Sequence, residues 1–240
     1  MNLSSRNTEP ELMDDPNVDI HDLRETLKDI NLSNKMLGGN RITVKEVGKF
    51  MNEYPKALYT IMDMGCGDGS MLREIAHFCR KNGQKVRLVG IDLSEKAIQI
   101  GKDTSSAYPE IHFQQQDILQ LSSTDFNCDI LLCTLTMHHF NDNQIPIFLK
   151  QFVKLAGVGI IINDLERSKW ACYLFKLFRA IFIKSKIAKY DGLISIKSGF
   201  KKRELMHFAQ TLPKVQHMIQ WKWAFRYVWI IKTNRLTPHV

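Results

Sequence analysis

Five short apolar segments in the middle of the chain constrain its fold more than any other feature. Each ends in an acidic or small polar residue, and their length and β-branched content are typical of buried parallel strands. Amphipathic helical patterns lie between them, with apolar residues three and four positions apart. This alternation predicts a doubly wound α/β sheet. The five segments are Leu58–Asp63, Val86–Asp92, Ile111–Asp117, Asp129–Thr134 and Val158–Asp164.

The C-terminal part of the chain holds two further strand-like segments, Val215–Trp221 and Phe225–Ile231, separated by a tight connection. Such a pair is typical of an antiparallel hairpin. The predicted fold is therefore an α/β, doubly wound, mostly parallel seven-stranded sheet with an antiparallel edge strand. Helical cap elements complete it.

Two regions lie outside this predicted sheet. In residues 1–50 a polar start is followed by an amphipathic pattern over Asp19–Leu37 that ends at a glycine pair. We expect a flexible N-terminal segment followed by a cap helix. Residues 51–240 then form the main domain, in which residues 168–200 are an insertion with apolar residues at helical spacing. This spacing predicts an inserted lid helix.

Composition narrows the class of protein. No apolar run is long enough to cross a bilayer, and the polar start of the chain has no signal-peptide pattern. The five cysteines form no close pair and are odd in number. We therefore expect a reduced, cytoplasmic protein without a zinc site.

A glycine-rich turn joins the first predicted strand to the first helix. Its sequence, Asp63–Ser70, reads D-M-G-C-G-D-G-S. Glycines adopt backbone conformations closed to other residues, and the helix that follows presents free N–H groups to a ligand. The third glycine is at the fifth position of the pattern, whereas Ser70 holds the sixth, where a dinucleotide fingerprint has Gly or Ala. An NAD-binding or degenerate Rossmann-like domain is the alternative interpretation.

Acidic residues end the next two strands. Asp92 ends the second strand, where its carboxylate can accept both hydroxyls of a ribose. Asp117 ends the third, where it can meet an adenine amino group. Their positions indicate a nucleoside ligand, because ligands of such sheets bind at the carboxyl ends of the strands.

The turn and these acids resemble the class I S-adenosylmethionine-dependent methyltransferases, whose first motif has the pattern D-x-G-C-G-x-G. The resemblance runs from about Leu58 to Asp164, makes residues 51–240 the methyltransferase domain and implies S-adenosylmethionine as cofactor. It implies that Asp63 faces the charged methionine end and that Asp92 holds the ribose. The other cofactor-binding residues expected near the turn and strand ends are Gly65, Cys66, Gly67, Gly69, Leu93, Asp117 and Ile118.

Two adjacent histidines follow the fourth strand. The stretch Thr134–Phe140 is similar to the L-H-H segment of ubiquinone and menaquinone methyltransferases and related small-molecule enzymes. Histidine titrates near neutrality and can accept a phenolic proton. We expect His138 or His139 to be the catalytic base. Adjacent side chains on an irregular turn point apart, so we expect one ring to face the acceptor and the other to bond the backbone.

Acidic residues also follow the fifth strand. Asp164 or Glu166 could orient a histidine or bind the acceptor, and ordinary loop hydrogen bonding is the alternative. A magnesium site of the catechol type would need carboxylates after both the fourth and fifth strands. Because histidines occupy the first of these positions, we predict no metal.

Two segments outside the sheet are candidates for closing the site. The aromatic and aliphatic face of the insertion predicts a lid over a small lipophilic acceptor, with Trp170 in the acceptor site. A core helix and transient contact with a membrane surface are the alternatives. Before the first strand, Arg41 could pair with the carboxylate of the cofactor. A solvent-facing arginine after a helix end is the alternative there.

The charge is distributed unevenly. The net charge is +8, with −4 over residues 1–40 and +10 over residues 167–203. A basic segment can meet nucleic acid, a membrane surface or an acidic substrate. However, Cys133–Phe140 contains neither the Asn/Asp-Pro-Pro-aromatic turn nor the Pro-Cys pair by which DNA and RNA methyltransferases resemble one another. We therefore expect no nucleic-acid partner.

The resemblance implies methyl transfer to oxygen of a small lipophilic acceptor, phenolic or polyketide-like, as in secondary metabolism. A carbon methyltransferase of a quinone precursor is the close alternative, and an RNA methyltransferase is a more distant one. The sequence makes no prediction about the oligomeric state.

Overall fold

A computed structural model describes residues 3–121 and 127–233 of the chain. Its centre is one seven-stranded sheet with the order β3-β2-β1-β4-β5-β7-β6. The strands are β1 Leu58–Met64, β2 Lys85–Asp92, β3 Ile111–Gln115, β4 Cys128–Thr134, β5 Ala156–Leu165, β6 Gln216–Lys222 and β7 Arg226–Lys232. Strand β7 runs antiparallel to both of its neighbours, and the other pairs are parallel. The predicted fold class is confirmed, with the antiparallel strand lying one place in from the edge.

Eight helices accompany the sheet in the described residues. They are α1 Ile20–Met36, α2 Gly39–Glu53, α3 Ser70–Lys81, α4 Glu95–Thr104, α5 Ile145–Leu155, α6 Lys169–Phe182, α7 Lys186–Ser198 and α8 Lys202–Gln210. Helices cover both faces of the sheet. Buried aromatic side chains of α5 belong to one large apolar cluster. Apolar residues of α2 and α3 belong to a second large cluster. None of the described helices is both long and apolar enough to span a membrane.

Local sequence explains where several elements begin and end. Asp19 caps α1 by accepting the His21 amide, and Ser94 caps α4 by accepting the Ala97 amide. Strand β3 stops at Gln115, two residues before the predicted end. After Gln115 the chain leaves the strand, because the Asp117 side chain accepts the Leu119 amide at 2.9 Å and caps a short 3-10 turn.

The glycine turn after β1 has the backbone that its sequence predicts. Gly65 has a φ of +71°, and a Cβ there would lie 2.3 Å from the Thr136 methyl carbon. Gly69 also has a φ of +71° and is followed directly by α3. A side chain at either position would meet both strain and a steric clash. The turn therefore holds the main chain of β1 close to the end of β4.

The N-terminal segment, residues 3–19, differs from the flexible start that was expected. Leu3 is buried, and Arg6 donates to the Ser198 carbonyl at 2.9 Å. The backbone amides of Leu12 and Met13 donate to the Asp191 carboxylate at 2.8 and 3.0 Å. Polar groups here bond to polar groups of α7 and its flanks. Local polarity alone does not reveal such partners.

The insertion contains two helices rather than the single lid helix that was predicted. Helices α6 and α7 are separated by a short break near Ser185, whose hydroxyl accepts the Ala188 amide at 3.2 Å. Asp29 of α1 accepts the amides of Lys184 and Ser185 at 2.8 and 2.7 Å. These bonds fix the break against α1, so the N-terminal helix and the insertion form one cap over the sheet.

Candidate active site

A cavity of about 950 Å³ lies at the carboxyl ends of the parallel strands, where α/β sheets bind ligands. Its floor is formed by residues at the ends of β1, β2, β4 and β5. The N-terminal segment, α1, α6 and α7 form its walls. The predicted cofactor residues that line it are Asp63, Gly65, Cys66, Gly67, Asp92, Leu93, Asp117 and Ile118.

Asp92 is tied to the glycine turn. Its Oδ2 accepts the Gly67 amide at 2.7 Å, and its Oδ1 accepts the Ser94 amide at 2.9 Å. Burial raises the pKa of Asp92, while these two amide bonds oppose the rise. Each oxygen can still accept another hydrogen bond. These bonds therefore fix the orientation of the carboxylate at the cavity while leaving it able to accept further hydrogen bonds.

Asp63 is a buried acid without a complete set of partners. Burial first, and the nearby charge of Asp92 second, raise its pKa to about 7. Its Oδ1 has no hydrogen-bond partner among the described residues. An unpaired buried carboxylate oxygen is costly unless a ligand supplies a donor or a positive charge. This residue fits the cationic end of a ligand.

Arg41 does not reach the cavity, contrary to the expectation that it pairs with the cofactor. It lies on α2, is exposed and is not among the residues that line the cavity. Helix α2 begins at Gly39, so that Asn40 is buried against the cavity while the next residue is rotated toward solvent.

His138 lies between two carboxylates. Its Nδ1 is 2.7 Å from Asp164 Oδ1, and its Nε2 is 3.3 Å from Glu11 Oε1. Burial opposes a charged ring, but Asp164 and Glu11 outweigh it and raise the pKa of His138 to about 10. Burial likewise opposes the ionised form of Asp164, yet His138 holds the pKa of that acid below its usual value. The two carboxylates therefore favour the protonated, positively charged form of His138.

The ring of His139 lies beside that of His138 rather than pointing away from it. The two ring centroids are 4.4 Å apart, and both rings line the cavity. The Nδ1 of His139 is 2.9 Å from Asp14 Oδ2. Burial and the charge of His138 oppose protonation of His139, but Asp14 and Glu11 raise its pKa overall. The expectation that one ring bonds the backbone is wrong, because both rings pair with carboxylates.

Sequence reasoning missed the two acids supplied by the N-terminal segment. Glu11 is buried against His138, and the contact with that histidine holds the pKa of Glu11 low although burial opposes this. Asp14 contacts His139 across 125 positions of sequence. The sequence signal for these two acids was the acidic character of the chain start. Because that stretch is also polar, its sequence predicted a flexible segment instead of a set of partners for the histidines.

A metal ion is compatible with part of this cluster. Glu11, His138 and His139 each offer one ligand atom, and these atoms lie within 4.8 Å of one another. Two imidazoles and a carboxylate suit several divalent cations. The absence of a metal, expected from the sequence, stays a prediction.

The insertion lines the cavity, but not through the predicted residue. Trp170 is 71% exposed on the outer face of α6 and does not line the cavity. Leu174, Phe175 and Phe178 lie on the inner face and do line it. Asp164 also differs from its predicted role in acceptor binding, because it lies behind His138 and does not line the cavity.

Residues 61–158 match a family described as a methyltransferase domain. YqeM of Bacillus subtilis (strain 168), a provisionally assigned methyltransferase, is 26% identical over 111 residues, which are 45% of this chain and 42% of YqeM. The aligned region thus spans less than half of that curated relative.

Solved structures share the fold at low sequence identity. The plantazolicin methyltransferase BpumL, in complex with a monoazolic substrate analogue and SAH, has a TM-score of 0.63 at 21% identity, covering 88% of this chain and 90% of that one. Magnesium protoporphyrin IX methyltransferase from Synechocystis PCC 6803 with bound SAH has a TM-score of 0.55 at 15% identity, covering 81% and 83%. The DszA carbon methyltransferase has a TM-score of 0.59 at 14% identity, covering 83% and 54%. Residues 61–158 thus match a methyltransferase domain, and the chain shares its fold with a methyltransferase solved in complex with SAH.

Proposed function

We propose that this chain transfers the methyl group of S-adenosylmethionine to an oxygen atom of a small lipophilic acceptor that is phenolic or polyketide-like. The observation that carries the proposal is the pair of adjacent rings, His138 and His139, which line the same cavity as the glycine turn and Asp92. A base and a cofactor site thus share one cavity, which methylation of a phenol requires.

The cavity residues fit the cofactor. Asp92 has free acceptor capacity for ribose hydroxyls, and the unpartnered Asp63 Oδ1 suits a positive charge. Gly65 presents bare main chain beside them. Asp117 and Ile118 line the part of the cavity at the end of β3, where the resemblance puts adenine. When bound, the cofactor supplies a methyl group on a sulfonium, which is a good leaving group.

The histidines divide the proton chemistry between them. Both ring nitrogens of His138 face a carboxylate, so this ring orients the cluster and places a positive charge in the cavity. A positive charge beside a phenol favours the phenolate. Within residues 3–121 and 127–233, His139 pairs only through its Nδ1, and its ring stays partly exposed. We assign proton acceptance to His139 and positioning to His138, with Glu11 ionised beside both.

The walls support a lipophilic acceptor. Leu174, Phe175 and Phe178 present apolar surface from α6, opposite the polar strand ends. Methylation at ring carbon of a quinone precursor is the alternative, since the same base could remove the phenolic proton. The DszA carbon methyltransferase has the same fold, and the carbon alternative is therefore included in the experiment below.

The outer face of α6 supports transient contact with a membrane surface. Trp170, Tyr173, Leu177 and Ile181 are all more than half exposed there. Aromatic and aliphatic residues beside lysines on one helix are typical of interfacial binding. Flotation with anionic phospholipid vesicles tests this: we expect co-flotation that is lost when Trp170 and Ile181 are both replaced by serine.

Calorimetry of cofactor binding tests the first half of the proposal. Asp92→Ala removes the proposed partner of the ribose, so affinity for S-adenosylhomocysteine should fall at least about 10-fold, as expected for lost hydrogen bonds to a charged group. Asp103→Ala is the matched control, because Asp103 is a partly exposed acid on α4 that pairs with Arg24. Equal affinity of the Asp92 variant and the parent would remove the ribose assignment.

Mass spectrometry of reactions with labelled cofactor tests the second half. The parent should methylate members of a phenol panel at oxygen, and His139→Gln should lose turnover while keeping cofactor affinity. Methyl groups found on ring carbon would replace the oxygen assignment with the carbon one. Turnover of RNA, with binding that weakens steeply as salt rises, would replace the small-molecule acceptor altogether.

A further inference from the structure

A buried arginine in the cavity is not used by the mechanism above. Arg226 begins β7, is 4% exposed and lines the cavity. Its Nη2 donates to Asn34 Oδ1 at 2.6 Å. Its Nε and Nη1 have no hydrogen-bond partner among the described residues. Two of the three nitrogens of a charged side chain therefore lack an acceptor.

Such a group is expensive to bury without an anion. A guanidinium has five N–H donors and no acceptor, and a buried charge is normally paired. Burial lowers the pKa of Arg226 to about 10, and the charge of Asp164 opposes this decrease, so the side chain is charged at neutral pH. However, Asp164 is already bonded to His138 and to the Leu165 amide.

The space around Arg226 is shaped to admit this side chain. A Cβ at Gly39 would lie 2.9 Å from Arg226 Cζ, so only glycine lets the guanidinium lie against the start of α2. Asn40, the next residue, lines the cavity as well. Arg41 is outside the cavity, so among the described residues Arg226 is the arginine that lines it.

The sheet order indicates which end of the cavity this is. The predicted cofactor residues lie at the ends of β1, β2 and β3, which are adjacent strands at one side of the sheet. His138 follows β4 and bonds to Asp164 on β5. Strand β7 comes next, beyond β5. Arg226 therefore belongs to the strand on the far side of the histidines from the cofactor residues.

We propose that Arg226 binds a carboxylate in this cavity, and that the acceptor supplies it. This inference rests on the proposed function and narrows its acceptor class to lipophilic hydroxyaryl carboxylic acids. Methylation of the phenolic oxygen leaves the carboxylate bound to Arg226 throughout the reaction. The carboxylate of the methionine part of the cofactor is the other source of the same chemistry.

Two matched pairs of probes separate the sources. S-Adenosylhomocysteine carries the amino-acid carboxylate, and 5′-methylthioadenosine lacks it. Likewise 6-nonylsalicylate carries an aromatic carboxylate that 3-nonylphenol lacks. Calorimetry of each probe should be run on the parent, on Arg226→Met, which keeps the side-chain volume, and on Arg226→Lys, which keeps the charge. Arg41→Met is the control at an exposed arginine.

We expect the parent to bind 6-nonylsalicylate at least 10-fold more tightly than 3-nonylphenol. Arg226→Met should abolish this preference with unchanged affinity for S-adenosylhomocysteine, and Arg226→Lys should restore part of it. A loss of affinity for S-adenosylhomocysteine but not for 5′-methylthioadenosine would support the carboxylate site with the cofactor as its source.

The inference is overturned if Arg226→Met binds all four probes as the parent does, or if only Arg41→Met loses affinity. Should Arg226→Met fail to fold, the parent alone decides: no preference for the carboxylated member of either pair overturns the inference. Failure of the parent to bind both nucleosides would instead refute the proposed function, so the two failures are distinguishable.

Discussion

Replacing Asp164 by asparagine tests the charge pair on which the proposed chemistry depends. The side chain keeps its size but loses its charge, so His138 loses the partner that lies 2.7 Å from its Nδ1. Asp164 also accepts two backbone amides, those of His138 and Leu165. The new amide group can accept through only one of its two atoms. At least one of these donors is therefore left without an acceptor.

The magnitude follows from burial. Breaking a buried ion pair by removing one partner costs about 3–5 kcal/mol in free energy of unfolding. We expect the lower end, about 3 kcal/mol, because Glu11 stays beside His138 at 3.3 Å. For a domain of this size that corresponds to a fall in Tm of about 6–12 °C.

The pH dependence has a definite sign. The pKa of His138 is about 10 in the folded protein and about 6.5 when unfolded, so its pair adds stability fully below pH 6.5 that is lost toward pH 10. The pKa of Asp164 is lowered on folding, so its contribution is present above about pH 3.9 and lost as pH falls. The difference in stability between parent and variant should therefore be largest between about pH 4 and 6.5.

Urea denaturation followed by circular dichroism at several pH values measures this difference. Asp103→Asn is the matched control, since its pair with Arg24 at 3.0 Å is partly exposed. It should change stability by less than about 1 kcal/mol. The reasoning is refuted if Asp164→Asn is as stable as the control at pH 6, or if the difference grows between pH 7 and 10.

Three further predictions concern the cavity. Phe178→Ala should raise the Michaelis constant for a lipophilic phenol about 10-fold through lost apolar contact, whereas Trp170→Ala on the outer face should leave it unchanged; equal effects would contradict the assignment of the inner face. Gly65→Ala should abolish cofactor binding in calorimetry, because its Cβ would lie 2.3 Å from Thr136. Normal affinity would show that the backbone of the turn can move to accommodate the methyl group. The raised pKa of His139 predicts that kcat/KM rises through an apparent pKa above 6.5, and a profile already flat at pH 6.5 would argue against His139 as base.

That the glycine turn and Asp92 line one cavity could be predicted because these features are local. Helix α3 spans Ser70–Lys81 as its apolar spacing predicts. The glycine turn and Asp92 each follow a strand directly, and parallel strands bring their carboxyl ends to one edge. Knowing the strands was therefore enough to place these residues together.

The cavity residues proposed to contact the acceptor could not be predicted in the same way. Glu11 reaches His138 from a segment with no regular pattern, and Arg226 enters from β7, at the opposite end of the sequence. Trp170 fails for a different reason, since a helical pattern fixes spacing but not which face turns inward. That choice depends on tertiary contacts, such as those of Asp29 with the break between α6 and α7. Arg41 fails because it lies on α2, a helix that the sequence analysis did not predict.

The cap has a consequence for how such a protein could change its substrate. The matched domain, residues 61–158, holds the turn and the histidines, whereas Glu11, Phe178 and Arg226 all lie outside it. Under the proposed function, exchange of the chain start and the two inserted helices would rebuild the walls that face the acceptor while leaving the glycine turn, Asp92 and the histidines in the sequence. Relatives that align over the matched domain alone would then share the proposed cofactor residues and differ in what they modify.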